Sequence, residues 1–122
     1  MLRAFISFQM EDETYRNLLV GQARNKKNDL EFADFSVHEP FDSRWKTNCR
    51  ARIAQTAGTI VLVGKTTAQA EAVVWEIEET IRQGHPMFGV RVANGPLPKG
   101  LTSAVGWDID AIVAKLKQWE RN

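Results

Sequence analysis

A chain of 122 residues suits one domain, expected over 1–122, and 43% hydrophobic with 25% charged residues is the composition of a folded soluble protein rather than a disordered one. Sixteen basic residues against fifteen acidic ones leave a net charge of +1, so neither nucleic acid nor a membrane is expected as a partner. The single cysteine, Cys49, excludes an internal disulfide, and no apolar run reaches the length of a signal peptide core or a membrane span, which makes the cytoplasm the expected setting.

Short apolar runs alternate with helical periodicity along the chain, as a parallel sheet wrapped by helices requires. Arg3–Phe8 is the first predicted strand. A helix follows from Asp12, with Tyr15, Leu18, Leu19 and Ala23 on its inner face. Leu30–Val37 is the second strand, stopped by Pro40, and His38–Ser43 is a loop. Ser43 is placed to cap a helix whose apolar face is Trp45, Cys49 and Ile53. Thr59–Val63, between Gly58 and Gly64, is a buried third strand. The helix Thr67–Gln83 turns Ala70, Val73, Val74, Ile77 and Ile81 toward the sheet and stops at Gly84. Pro86–Val92 is a fourth strand, Asn94–Gly100 a loop, and Leu101–Val105 contains a short fifth strand. Asp108 caps a last helix carrying Ile109, Ile112, Val113, Leu116 and Trp119. The count predicts a flavodoxin-like three-layer α/β/α fold with a five-stranded parallel sheet in the order 2-1-3-4-5, whose ligands bind beyond the carboxyl ends of the strands.

Several familiar chemistries find no support. Gly64-Lys65-Thr66 resembles the end of a phosphate-binding loop, but Thr59 stands where its first glycine belongs and the intervening residues are strand-formers. A receiver-type phosphorylation domain would carry an acceptor aspartate after the third strand, where this chain has Gly64-Lys65. His38 and His85 are isolated rather than spaced as metal ligands, and there is no nucleophile-elbow pattern.

Three segments carry a resemblance. Arg3-Ala4-Phe5-Ile6-Ser7-Phe8 resembles the opening strand of TIR domains. The run from Phe35 through Trp45 occupies the place of that family's loop after the second strand. Thr59–Val63 followed by Thr66-Thr67 and Val74-Trp75-Glu76-Ile77 completes the pattern. Together they are similar to stand-alone TIR-like proteins, in particular to the branch with the NAD-consuming signal producers of Thoeris antiphage defence. The likeness runs through Val92. The family's catalytic glutamate, on the helix after the third strand, matches Glu76. The wider family has a tryptophan four residues earlier, where this chain has Ala72; here Trp75 directly precedes the glutamate, as in the Thoeris-like branch.

The resemblance implies an NAD+ glycohydrolase or ADP-ribosyl cyclase, with NAD+ as substrate and no separate cofactor or metal. Cleaving nicotinamide from NAD+ builds positive charge on the ribose, which one carboxylate, Glu76, can oppose. Capture by water gives ADP-ribose; capture by adenine gives a cyclic product. Ser7, Phe8, Phe41, Asp42, Trp45, Thr66 and Trp75 are the implied substrate-binding residues, and Arg44, Lys46 and Arg50 could neutralise a pyrophosphate near a helix N-terminus. Self-association through TIR-like contacts and a downstream nucleotide-sensing effector are the implied partners.

By residue pattern alone, Glu76 is one charge among Glu71, Glu78 and Glu79 on a solvated flank, and Phe8, Phe41 and Trp45 read as packing residues. Trp75 falls off the apolar stripe, so it is expected to face solvent and to seek a partner. Two other readings stand beside the enzyme: a non-catalytic TIR-like interaction module, and a nucleoside-processing enzyme on the same scaffold.

Overall fold

A computed structural model describes residues 2–34 and 43–120. The predicted segment 35–37 of the second strand and the loop 38–42 lie outside them. Five strands form one parallel sheet: β1 (Leu2–Ser7), β2 (Leu30–Ala33), β3 (Gly58–Val63), β4 (Met87–Arg91) and β5 (Ala104–Val105), in the order β2-β1-β3-β4-β5. Among the described residues three α-helices connect successive strands, α1 (Glu13–Lys26), α2 (Ser43–Ala54) and α3 (Glu71–Arg82), and a fourth, α4 (Ile109–Trp119), follows β5. The fold is therefore the flavodoxin-like one the element pattern predicts.

Strand alternation assigns the helices to the two faces. Leu2, Ala4 and Ile6 of β1, with Ile60, Leu62, Phe88 and Val90, pack against Leu19 and Ala23 of α1 and Ile112, Val113 and Leu116 of α4. On the other face Phe5 meets Trp45, Cys49 and Ile53 of α2, while Val61 and Val63 meet Val73 and Ile77 of α3. In register, Phe5 lies beside Thr59 and Ser7 beside Val61. β1 and β3 are central, and chain order reverses between them, so the crevice at their carboxyl ends is the binding position of such a sheet.

Local chemistry accounts for two of the helix ends. Asp108 accepts a hydrogen bond from the Ala111 amide at 3.2 Å and caps α4. At the end of α3, Gly84 takes φ 73°. Its amide and that of His85 reach back to the carbonyls of Ile81 and Thr80, the two bonds of a Schellman stop. Three expectations are corrected. Tyr15 and Leu18 point outward on α1 (40% and 46% exposed), and only Leu19 and Ala23 of the expected face are buried. Helix α3 begins at Glu71 rather than Thr67: Thr67–Gln69 is a separate 3-10 turn, because Ala70 is extended (ψ 110°) and breaks the helix. Ser43 is already helical, so it is not the cap of α2.

Candidate functional site

The inner stripe of α3 is Val73, Glu76, Ile77 and Thr80, an i, i+3, i+4, i+7 set, with Glu79 also buried beside it. Helix α3 is thus rotated from the orientation its apolar residues alone suggest. Ile81 is turned out to 52% exposure, while Glu76 is turned in to 3%. The rotation has polar partners. Thr80 pairs with Thr59 of β3 at 2.9 Å and also donates to the Glu76 carbonyl at 2.8 Å. The expectation of a solvated Glu76 is therefore overturned.

Both carboxyl oxygens of Glu76 are held. Ser7 Oγ, at the carboxyl end of β1, donates to Oε1 at 2.5 Å. Cys49 Sγ, from α2, lies 3.4 Å from Oε2. Burial pushes the Glu76 pKa up from 4.5 to about 8; the Ser7 and Cys49 hydrogen bonds oppose that rise, and the charge of Asp34 adds to it. The Cys49 thiol is itself driven far upward, first by burial and then by the adjacent Glu76, so it remains a protonated donor. Near neutral pH the site thus presents a carboxyl poised between acid and carboxylate, a state suited to proton transfer or to answering a nearby cation.

An aromatic and ionic wall stands beside this group. Trp45 and Trp75 meet edge to face, with ring centroids 5.4 Å apart, and the Arg50 guanidinium lies 5.6 Å over the Trp75 ring. Arg50 also pairs with Glu79 at 3.4 Å. Glu79 further binds Arg82 and accepts from Gln83 Nε2 at 2.9 Å. Gln83 in turn donates to the Arg50 carbonyl at 3.1 Å, which ties α3 to α2. On the β2 side, Asp34 accepts from Arg16 at 2.8 Å and its carbonyl from Arg52 at 3.0 Å.

The predicted site residues divide into three groups. Ser7, Trp45, Trp75 and Glu76 share one neighbourhood, although Trp75 is packed on Trp45 and half-buried rather than solvent-facing. Thr66 lies farther along the carboxyl edge, where its hydroxyl donates to Glu11 at 2.7 Å and accepts from Gln9 at 3.1 Å. Phe8 lies apart: β1 alternation sends it to the α1/α4 face, opposite Glu76. Phe41 and Asp42 lie outside the described residues. Arg44 is exposed near the start of α2 and Lys46 half-buried, while Arg50 sits two turns on, engaged by Trp75 and Glu79. An open hollow of about 580 Å³ lies at the opposite, amino edge of the sheet, lined by Arg3, Thr56 and Trp119, and touches none of the Glu76 group. No cluster of three or more potential metal ligands occurs among the described residues.

Sequence reasoning missed three participants. Cys49 appeared only as part of an apolar stripe, and nothing local links it to a residue 27 positions away. Glu79 appeared as a surface charge. Asp12 is buried at the carboxyl edge, and its Oδ2 has no hydrogen-bond partner among the described residues.

These features define a TIR-type flavodoxin-like domain with a buried glutamate between β1, α2 and α3. The TIR domain of the Toll-related receptor TRR-2 from Hydra magnipapillata superimposes with a TM-score of 0.70 at 13% identity, over 98% of both chains. The RPS4 and RRS1 TIR domain heterodimer structure gives 0.67 at 10% identity, over 99% of both chains. A 3-dehydroquinate dehydratase-like protein from Bifidobacterium longum gives 0.60 at 12% identity, over 99% of this chain and 97% of that one. Such identities establish the fold alone. The family model for the Thoeris protein ThsB, TIR-like domain, matches residues 5–95, and the chain belongs to that family. Among curated proteins no match is found.

Proposed function

We propose that the chain cleaves the nicotinamide–ribose bond of NAD+, with Glu76 as the carboxylate that opposes charge on the ribose. The product is an ADP-ribose-derived nucleotide signal, made in the cytoplasm in antiphage defence and read by a nucleotide-sensing effector. One observation carries the reading. In a chain of the ThsB TIR-like family, Glu76 is drawn inward to Ser7 at the carboxyl end of a central strand, whereas Glu71 and Glu78 on the same helix are exposed. A cationic ribose beside Glu76 would favour its ionised form, so substrate and carboxyl adjust to each other. At 3% exposure Glu76 is closed to a substrate, so the proposed reaction needs the site around it to open. Self-association is the proposed means of opening it.

The test is purified protein with NAD+, following free nicotinamide by chromatography, beside Glu76→Gln. Glutamine keeps the shape and removes the charge; loss of such a group costs on the order of 2.7–4 kcal/mol, a hundred- to thousandfold in rate. Glu71→Gln and Glu78→Gln, both at exposed positions, keep the wild-type rate. Equal nicotinamide release by Glu76→Gln and wild type removes Glu76 from the reaction.

A second reading is a non-catalytic module that pairs with another TIR-like domain. It is favoured by the exposed apolar side chains Tyr15 and Leu18 on α1, and by the pairing that the RPS4 and RRS1 TIR heterodimer exhibits. Under this reading wild type sediments as an assembly, Leu18→Glu as a monomer, and neither releases nicotinamide.

A further inference from the structure

We propose that Cys49 is a positioning residue for Glu76: its thiol holds the second carboxyl oxygen from α2, as Ser7 holds the first from β1. The inference rests on the reading of Glu76 as the acting carboxyl, and extends it to a residue with no place in that reading.

The geometry is a three-element clasp. Ser7 lies in β1, Cys49 in α2 and Glu76 in α3, and all three are buried. A carboxyl with only Ser7 as partner would be free to rotate about its last torsion, which is broad and roughly two-fold. A second donor on the other oxygen removes that freedom. Cys49 is suited to the task because it also fills apolar space among Phe5, Trp45 and Ile53, where a charged donor would be costly to bury. Its weak S–H donor supports the ionised carboxyl without locking it there. Helix α2 also carries Trp45 of the neighbouring wall, so any displacement of α2 loosens Cys49 from Glu76 as it shifts that wall.

Among the described residues, charged groups bear on the clasp from three directions. From the residue after β2 comes Asp34, engaged by Arg16 of α1. From α2 come Arg50 and Arg52, and from α3 comes Glu79, which is engaged by Arg50 and Arg82. Among the described residues, the hydrogen bonds to the Glu76 carboxyl come from Ser7 and Cys49. A change at Cys49 is therefore read directly by Glu76.

The experiment follows the Glu76 side-chain carbon by NMR through a pH titration of the intact protein, the signal being identified by its absence in Glu76→Gln. Ser7→Ala calibrates the loss of one donor and moves the titration upward. Cys49→Ala removes the other donor and moves it upward by about half a unit, while Cys49→Ser retains a donor and titrates at or below wild type. Opposite behaviour of the Ala and Ser variants marks a hydrogen bond rather than packing, since both leave a smaller side chain. The proposal is overturned if all three Cys49 forms titrate together, if Ala and Ser move upward equally, or if Ala moves downward. Because the titration uses no NAD+, it decides the role of Cys49 even where no nicotinamide is released and the enzymatic reading has fallen. Where nicotinamide is released, the acid limb of its rate profile shifts with the NMR titration of each variant.

Discussion

Ser7 Oγ and Glu76 Oε1 lie 2.5 Å apart although the residues are 69 positions apart in the chain. The contact joins the carboxyl end of a central strand to the middle of a helix, and it locates the candidate chemistry beside the β1–β3 crevice. A buried carboxyl without such a donor would pay the full desolvation penalty; with it, the group stays within reach of ionisation near neutral pH.

The first expectation concerns rate against pH. If ionised Glu76 is the form that opposes a ribosyl cation, activity follows its carboxylate fraction. Burial raises the pKa to about 8, so nicotinamide release climbs about tenfold per pH unit below that value and levels above it. A profile already flat at pH 6 would detach the reaction from this group. Ser7→Ala, which loses the donor that favours the carboxylate, shifts the limb toward higher pH.

The same group governs stability with a definite sign. The folded state retains the Glu76 proton between pH 4.5 and about 8, where the unfolded chain releases it. Its stabilising contribution is therefore full below pH 4.5 and is lost as pH rises through 8. The span corresponds to at most about 5 kcal/mol. Urea unfolding across this range gives a falling stability for wild type, and Glu76→Gln removes the fall. An unchanged slope in the variant would assign the pH dependence elsewhere.

Much of this was legible in the sequence. The strand order followed from element count, Asp108 and Gly84 marked their helix ends, and the family motif singled out Glu76. What misled was the orientation of α3. Val73, Ile77 and Ile81 define an apolar stripe, but the helix packs about a residue off it, with Glu76 and Thr80 inside and Ile81 outside. The driving contacts, Thr80 with Thr59 and Glu76 with Ser7, join residues distant in sequence, so no periodicity encodes them. Local rules fail most at the candidate site, where function competes with patterning.

Glu79, three residues from Glu76, is expected to behave oppositely. Burial alone would raise its pKa, but hydrogen bonds from Gln83, Arg50 and Arg82 outweigh it and hold the carboxyl below its ordinary value. Its contribution is present above the unfolded pKa and is lost as pH falls through the folded one. Glu79→Gln therefore destabilises the neutral protein by about 1–3 kcal/mol, and the deficit shrinks in acid. The loss stays below that of an orphaned buried charge because Arg50 and Arg82 are half-exposed and regain water. Chemical denaturation at neutral and acid pH reads both halves; a deficit independent of pH would mean that the pairing contributes only shape.

The last expectation concerns how tightly the carboxyl edge is packed. A Cβ on Gly64, just after β3, would stand 2.6 Å from Asp12 Oδ2 and 3.3 Å from its Cγ. Asp12 is buried, so its carboxyl cannot simply swing into water. Gly64→Ala is therefore expected to destabilise by about 1–3 kcal/mol, as overpacking does. Asp12→Ala removes both the obstacle and a carboxyl whose Oδ2 has no partner among the described residues, so the double variant loses less than the sum of the single losses, with a coupling of at least about 1 kcal/mol. The reduction in unfolded-chain entropy on Gly→Ala is the same in both backgrounds and cancels from the cycle. Gly95→Ala supplies the contrast. Its Cβ would fall 2.2 Å from the Gly64 carbonyl oxygen and 3.0 Å from the Lys65 Cα, both backbone atoms that Asp12→Ala leaves in place. Its full cost should thus persist in either background. Thermal unfolding of the four Gly64/Asp12 proteins and the two Gly95 proteins decides the matter. Additive Gly64 and Asp12 effects would mean that the loop after β3 shifts freely, and the packed edge described for Asp12 and Gly64 would have to be given up.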